Sequence, residues 1–547
     1  MIRLTALAAC AGLAACATSA PSQGAAVGGN PYADFLVGRV ANLNADYAAA
    51  AQHYQAALRH APHDEDLLDS AVQAALASND AARARRIAAS APRAAGSTYV
   101  QLVRAVDDMN AAHWAAAQRD LAAAHGGAAE DLLGAVLAVW VNAAQGRYSA
   151  INDDLRPLLG VRPYGSLLNA QQAMVYDLAG RSDDALHAYA QDDGALWSAP
   201  TVVRRADLML RNGSRDTAQA LLEAGVNAGN PEIEAALARV RAGQPPALAP
   251  LTPTRGAAVG LYGVATIYLQ QSDSADGLAA LTLAQMLDPD LDAAKVAISS
   301  QQQRLQHPDL AMQALQAIAP TSAYAVGARV MQAWILYDQG QGDAAVALAQ
   351  QAAAGGDARA QRALGDLYRA LKRYRDAEAV YDTLIAAYPN DWRLYYARGA
   401  TRAHLNRDDD SEADLQHALS LSPDQPEVLN YLAYAWVDRG VRLPEALAML
   451  QRAAALRPDS GAIIDSLGWA YYRMGDYPHA EEALERAVQL EPGDATLNEH
   501  LGDLYWRVGR RTEARFQWTH ALAGSPDDAD ALHDKLEHGL PPPPARR

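Results

Sequence analysis

Apolar positions along this chain recur in paired stretches. From Asp465 to Pro492 the sequence DSLGWAYYRMGDYPHAEEALERAVQLEP places Leu467, Gly468 and Tyr471 on a first stretch and Ala480 and Leu484 on a second, with Pro492 closing the unit. The set returns 34 residues later as Leu501, Gly502, Tyr505, Ala514, Trp518 and Pro526. This pattern predicts two packed helices per unit. Gly468 lets a neighbouring helix approach closely, and Ala480 sits where a larger side chain would wedge the two helices apart. Pro492 ends the second helix because it lacks the amide hydrogen needed to continue it.

The pattern extends upstream. Leu432-Ala433 with Ala446 and Pro458 forms a unit stretched by one residue in the turn VDRGVRLPEA. Arg398-Gly399 with Leu415, Ala418 and Pro423 forms another, as does Leu364-Gly365 with Tyr368, Ala377, Tyr381 and Pro389. Weaker units keep phase near Gln332 with Ala345, near Ile298 with Ala311, and near Val264 with Tyr268, Leu281 and Pro289. In the N-terminal half, Val37-Gly38 with Tyr47, Ala50, Tyr54, Ala57 and Pro62 is followed by helical pairs around Ala84, Ala117, Tyr148, Ala185 and Ala218. This pattern resembles the tetratricopeptide repeat, with its L-G-x-x-Y, A-x-x-x-F and P positions. The resemblance covers about Pro31 to Ala523. It implies an all-α fold, a right-handed α-solenoid of about fourteen helix-turn-helix repeats, six before and eight after a break at AGQPPALAPLTPT (Ala242–Thr254).

Composition agrees with helices: half of the 547 residues are apolar, mostly Ala and Leu, with only two Phe. The expected organisation is a signal segment (1–15), a tether (16–30), an N-terminal array (31–241), a Pro-rich linker (242–256), a C-terminal array (257–526), and a capping helix with a Pro-rich tail (527–547). MIRLTALAACAGLAAC begins with one positive residue and an apolar run, as signal peptides do. Leu13-Ala14-Ala15-Cys16 resembles a bacterial lipobox, which implies lipidation of Cys16 and loss of Cys10 with the signal. Leu7-Ala8-Ala9-Cys10 shares that spelling, and cleavage after Ala17 or Ala20 is a further alternative. Ala17 is not the Asp that marks inner-membrane retention in enterobacteria, which implies the outer membrane, facing the periplasm. No other segment reaches the roughly 18 apolar residues of a membrane helix. A net charge of −17 disfavours nucleic acid, whose phosphates would be repelled.

Candidate chemistry is sparse. His60, His63, Asp64 and Asp66 cluster, but they straddle Pro62 at a repeat boundary and read as a solvated turn. QGQGD (Gln339–Asp343) lacks the strand and third glycine of a phosphate-binding loop. RDDDSEAD (Arg407–Asp414) places acids at a helix start, where they complement the helix dipole, with calcium as the alternative. No nucleophile motif appears. The expectation is a non-enzyme without cofactor or metal.

In tetratricopeptide arrays the first helix of each pair lines the inner wall, where ligands bind. The resemblance places Asp465, Trp469, Tyr472, Arg473, Glu499, Asp503, Trp506 and Arg507 there, with Tyr396 and Arg369 upstream and Tyr471 and Tyr505 in the core. Trp and Arg grouped on a groove are typical anchors; the alternative is that both tryptophans pack against the adjacent repeat. Leu429 to Leu522 also resembles the C-terminal end of proteobacterial tetratricopeptide lipoproteins, some of which dock a periplasmic carboxyl-terminal processing protease and deliver peptidoglycan hydrolases to it. The implied function is a periplasmic adaptor for protein partners, held to the membrane by its lipid anchor alone. The alternative is an assembly factor for envelope polysaccharide export or for pilus and secretin complexes.

Overall fold

The computed structural model describes residues 30–92, 96–124, 128–148, 164–191, 198–226, 229–524, 526 and 528–541. The signal segment, Cys16, the tether before Asn30 and the tail beyond Pro541 lie outside the described residues. The described residues form 29 helices and no strand. Apart from Ala128–Ala144, whose expected partner around Tyr148 runs into residues 149–163 outside the described residues, they alternate as first and second helices of pairs, from Pro31–Leu43 with Tyr47–Leu58 to Ala495–Arg507 with Arg511–Ala523. Pro231–Arg241 stands unpaired before the break, and Ala529–His538 is the expected capping helix.

The repeat positions act as their spacing predicts. A Cβ added at Gly468 would lie 2.7 Å from Leu484 Cγ, one at Gly502 2.5 Å from Trp518 Cδ1, and one at Gly365 2.8 Å from Tyr381 Cε1. Gly38 stands in the same relation to Tyr54, and Gly399 to Leu415. Each glycine thus faces the large residue sixteen positions later, on the second helix of its own pair. Ala50, Ala84, Ala117, Ala185, Ala218, Ala311, Ala345, Ala377, Ala446, Ala480 and Ala514 are all 0% exposed. Most turns within a pair place one residue in the left-handed region two positions before the second helix begins, as at Asn406 and Gly475. The turn after Arg439 departs from this rule: Gly440 and Arg442 both have positive φ, which accommodates the extra residue of VDRGVRLPEA.

The chain divides into two compact units, Met1–Ile335 and Leu336–Arg547. This differs from the expected division at residues 242–256. The Pro-rich stretch is non-helical only from 242 to 252. Thr252 Oγ1 caps the next helix by accepting from the Arg255 amide at 3.2 Å, and Pro253 takes the first helical position, where a missing amide hydrogen costs nothing. The helices that follow turn back onto the N-terminal repeats. Pro253–Gln270 packs on Ala128–Ala144 and Tyr164–Leu178, and Ser274–Leu287 packs on Glu65–Ala77 and Thr98–Asn110. All four supporting helices are first helices of their repeats.

Glycines on one face of Pro253–Gln270 make this approach possible. A Cβ at Gly256 would sit 2.1 Å from the Trp140 ring, one at Gly260 2.5 Å from Val136 Cγ1, and one at Gly263 2.4 Å from Leu167 Cδ1. Trp140 is wholly buried there, and its Nε1 donates to Gln171 Oε1 at 2.8 Å. Polar groups reinforce the contact. Thr282 Oγ1 donates to the Leu76 carbonyl at 2.7 Å, Gln302 Nε2 to the Ala77 carbonyl at 3.1 Å, and Asn110 Nδ2 to the Met286 carbonyl at 2.8 Å. The unpaired helix Pro231–Arg241 is held through Glu232, whose Oε2 accepts from the Tyr324 hydroxyl at 3.0 Å. The first unit therefore fills the face of these four first helices with its own chain.

Overpacking this contact is expected to cost stability. Gly260→Val should destabilise the protein by about 1–3 kcal/mol, measured as a lower urea midpoint by circular dichroism. Gly327→Ala, in the Ala325–Asp338 helix with nothing within 4 Å of its Cβ, should instead raise stability by about 0.5–1 kcal/mol.

Candidate functional site

In the second unit the first helices of successive pairs pack side by side. Pro426–Arg439 contacts Gly461–Met474, which contacts Ala495–Arg507. Their shared face carries a cleft of about 640 Å³ lined by residues that include Asn430, Tyr431, Tyr434, Asp438, Asp465 and Thr496. The lining also holds Asp408 and Asp494, against a single base, Arg439. Burial, followed by the nearby Asp465, Asp438 and Glu499 carboxylates, pushes the Tyr434 hydroxyl up to about 12.

Asp465 lies at the floor of this cleft, 3% exposed, with Oδ2 2.7 Å from His500 Nδ1. Burial opposes charge on His500, but Asp465, Asp503 and Glu499 outweigh it and raise the imidazole above its ordinary value. Trp469 is sandwiched between two rings, stacked on Tyr472 at 4.6 Å and on His500 of the next repeat at 4.0 Å. It is half-buried and serves inter-repeat packing, the alternative noted for it from sequence. Tyr472 accepts from Arg507 Nε at 3.1 Å. Arg473 Nη2 donates to the Asp438 carbonyl at 3.1 Å.

The remaining expected anchors lie beneath the capping segment. Lys535 Nζ donates to Glu499 Oε1 at 2.6 Å and to both oxygens of Asp503 at 2.8 Å. Asp503 Oδ1 also accepts from Trp518 Nε1 at 2.9 Å. Burial raises the Asp503 carboxyl above its usual range, with Lys535 opposing. Trp506 is only 9% exposed. Gly539 lies so close to its ring that a Cβ there would sit 1.8 Å from Cζ2, and the Arg511 and Arg515 guanidinium groups approach within 4.5 and 5.3 Å. Arg507 Nη1 donates to the Pro541 carbonyl at 2.5 Å. Glu499, Asp503, Trp506 and Arg507 are thus engaged by the chain's own end. Upstream, Tyr396 packs edge-on to Tyr431 at 6.0 Å, and Arg369 pairs with Asp366 at 4.0 Å. Of the two expected core tyrosines, Tyr505 is buried and Tyr471 only half-buried.

The acids of Arg407–Asp414 are largely neutralised by arginines. Asp414 receives Arg398 at 2.7 Å and Arg402 at 2.9 Å, Asp410 pairs with Arg407, and Glu412 accepts from Arg439, Arg442 and Trp436 Nε1. Asp64 caps a helix by accepting from the Leu67 amide at 3.0 Å. No group of three His, Cys, Asp or Glu suited to a metal occurs among the described residues, and none of their helices is long and apolar enough to cross a membrane.

Asn430, Tyr434 and His500 were absent from the residues expected on the inner wall. The repeat register contained the signal: carried back 35 residues, to include the stretched turn, Asp465 and Trp469 align with Asn430 and Tyr434.

The profile of the tetratricopeptide repeat family matches residues 330–391, 362–426 and 466–530, so these helix pairs are tetratricopeptide repeats, a module that implies protein–protein interaction. A Pseudomonas aeruginosa protein described as "TPR repeat-containing protein PA4667" is 38% identical over 94 residues, which span 17% of this chain and 16% of that protein. Among solved structures, one chain of the Cut9–Hcn1 hetero-tetramer of the APC/C aligns over 94% of this chain and 97% of its own, at 15% identity and a TM-score of 0.41. A thermophilic tetratricopeptide protein of Thermus thermophilus aligns over 33% of this chain and 98% of its own, at 23% identity and a TM-score of 0.30.

Two outcomes test this arrangement. The folded pKa of His500 lies above its unfolded value, so its charge contributes stability that is complete below about pH 6.5 and is lost as pH rises through the folded value. The urea midpoint of wild type should therefore exceed that of His500→Gln most at about pH 6, and the gap should narrow by about pH 9. Trp506→Ala should cost about 3–5 kcal/mol, whereas the half-buried Trp469→Ala should cost less, both read from denaturant unfolding followed by circular dichroism.

Proposed function

We propose that this chain is a non-enzymatic scaffold that holds a protein partner in the cleft of its second unit. The cleft itself is the observation that carries this reading: an acidic and aromatic recess on the face of the first helices, between Ala403 and Leu497, in the unit where tetratricopeptide repeats are matched. The equivalent first helices at 65–77, 98–110, 128–144 and 164–178 are instead covered by the chain itself. Tyrosines beside carboxylates supply apolar area with polar handles, the composition of a binding surface.

The scaffold is tethered by lipidated Cys16 to the periplasmic face of the outer membrane. Its partners are a carboxyl-terminal processing protease and the peptidoglycan hydrolases brought to it. The signal segment and the resemblance of Leu429–Leu522 to adaptor lipoproteins support this reading. Such a device works by co-localisation, which raises the effective concentration of client and protease to about the millimolar range for a short linker, without new chemistry.

In-cell crosslinking followed by envelope pull-down tests this. A protease or wall hydrolase should be enriched with wild type and lost when Tyr431 and Tyr434 are both replaced by Ala, while Phe516→Ala, exposed and outside the cleft, should retain it. Recovery of only polysaccharide-export or secretin components would overturn the reading. Cys16→Ser should move the protein from the membrane to the soluble fraction.

A further inference from the structure

Among the described residues, the cleft contains acceptors without a donor. Oδ1 of Asp465 and Oδ1 of Asn430 are both buried, and neither has a hydrogen-bond donor. Asp465 uses only its Oδ2, on His500. Both residues line the cleft. A buried carboxylate oxygen without a donor is destabilising, so a site of this kind is completed by an occupant that brings N–H groups.

The same chain shows which occupant completes it. Asn430, Asp465 and Glu499 hold one register position in three successive repeats, each two residues before the repeat's leucine (Leu432, Leu467, Leu501). In the last repeat the capping helix delivers an ammonium group: Lys535 Nζ binds Glu499 at 2.6 Å and Asp503 at 2.8 Å. The two preceding repeats offer the same position without a lysine: Asp465 has only His500, on its other oxygen. The charge around them agrees, since Asp408, Asp438 and Asp494 also line the cleft, and Arg439, the lone base, is engaged by Glu412 at 3.1 Å and Asp408 at 3.7 Å. Tyr431 and Tyr434 add ring surfaces that favour a cation and its alkyl stem.

We infer that the cleft receives a lysine side chain of the partner polypeptide at Asn430 and Asp465, the positions that correspond in the two preceding repeats to Glu499, which Lys535 binds. This rests on the reading of the cleft as the partner site and adds the chemistry it recognises. The partner segment repeats in trans the contact that the capping helix makes in cis.

Fluorescence anisotropy of the full chain with labelled Gly/Ser peptides tests this. One peptide carries a single central lysine, a second acetyl-lysine and a third arginine. The lysine peptide should bind about tenfold more tightly than the acetyl-lysine peptide, the scale of one charge-assisted hydrogen bond. Asn430→Leu and Asp465→Asn should each reduce that preference. Should Asp465→Asn unfold the unit through His500, Asn430→Leu decides alone, with its melting curve as the control. Equal binding of the lysine and acetyl-lysine peptides, or an unchanged preference in Asn430→Leu, overturns the inference. Tenfold tighter binding of the arginine peptide overturns the choice of lysine. If the crosslinked partner is still lost in the Tyr431/Tyr434 double variant while the peptides show no lysine preference, this inference fails and the scaffold reading stands.

Discussion

The structure depends on how closely two helices of a pair can approach. A glycine on the first helix meets a large side chain sixteen residues later on the second, and an alanine with no exposed surface sits at the crossing. Helices drawn together this tightly bury enough apolar surface to be stable despite a composition dominated by alanine. In the second unit they also set successive first helices side by side, so that a position two residues before the repeat's leucine recurs on the same face. The recurrence of Asn430, Asp465 and Glu499 is a consequence of that geometry.

The two units use this face differently. In the first, glycines 256, 260 and 263 let Pro253–Gln270 come so close to Trp140, Val136 and Leu167 that no side chain fits between them. That face is a core. In the second, the described residues cover the last repeat, through Lys535, Gly539 and Pro541, while the preceding repeats are lined by polar and charged groups. A terminal helix of this kind spares the last repeat an exposed apolar edge, as solenoids require. Here it also occupies four of the residues that, by register alone, belonged to the inner wall.

The helical pairs were legible in the sequence because each depends on local spacing, and even the extra residue near Arg442 showed as a stretched unit. The fold-back of residues 253–287 was not legible. The prolines of AGQPPALAPLTPT mark where a helix stops and say nothing about where the next one packs; GAAVGLYG held the clue as a glycine stripe, whose meaning needs a partner helix. At the cleft, Asp465 and Trp469 were visible as departures from the repeat. Their burial was not, because Trp469 owes it to His500, a residue of the following unit, and Trp506 owes it to Gly539. Long-range coverage of this kind leaves no periodic trace.

Many carboxylates of the second unit are paired, within or across repeats, which makes the cleft stand out. Asp414 takes two arginines, Glu412 takes two arginines and a tryptophan, and Glu499 with Asp503 takes a lysine. A chain that satisfies its carboxylates so thoroughly leaves the Oδ1 atoms of Asp465 and Asn430 without donors at one place, and that place is open to a partner. An isolated orphan acceptor would be an ordinary local imperfection. Two at the same register position, in adjacent repeats and beside a third that is filled by the chain's own lysine, form a continuous row of acceptors. Such a row favours a partner segment that runs along the face of the first helices and engages more than one repeat, because each cation it brings relieves one desolvated acceptor while the tyrosines hold its alkyl stem.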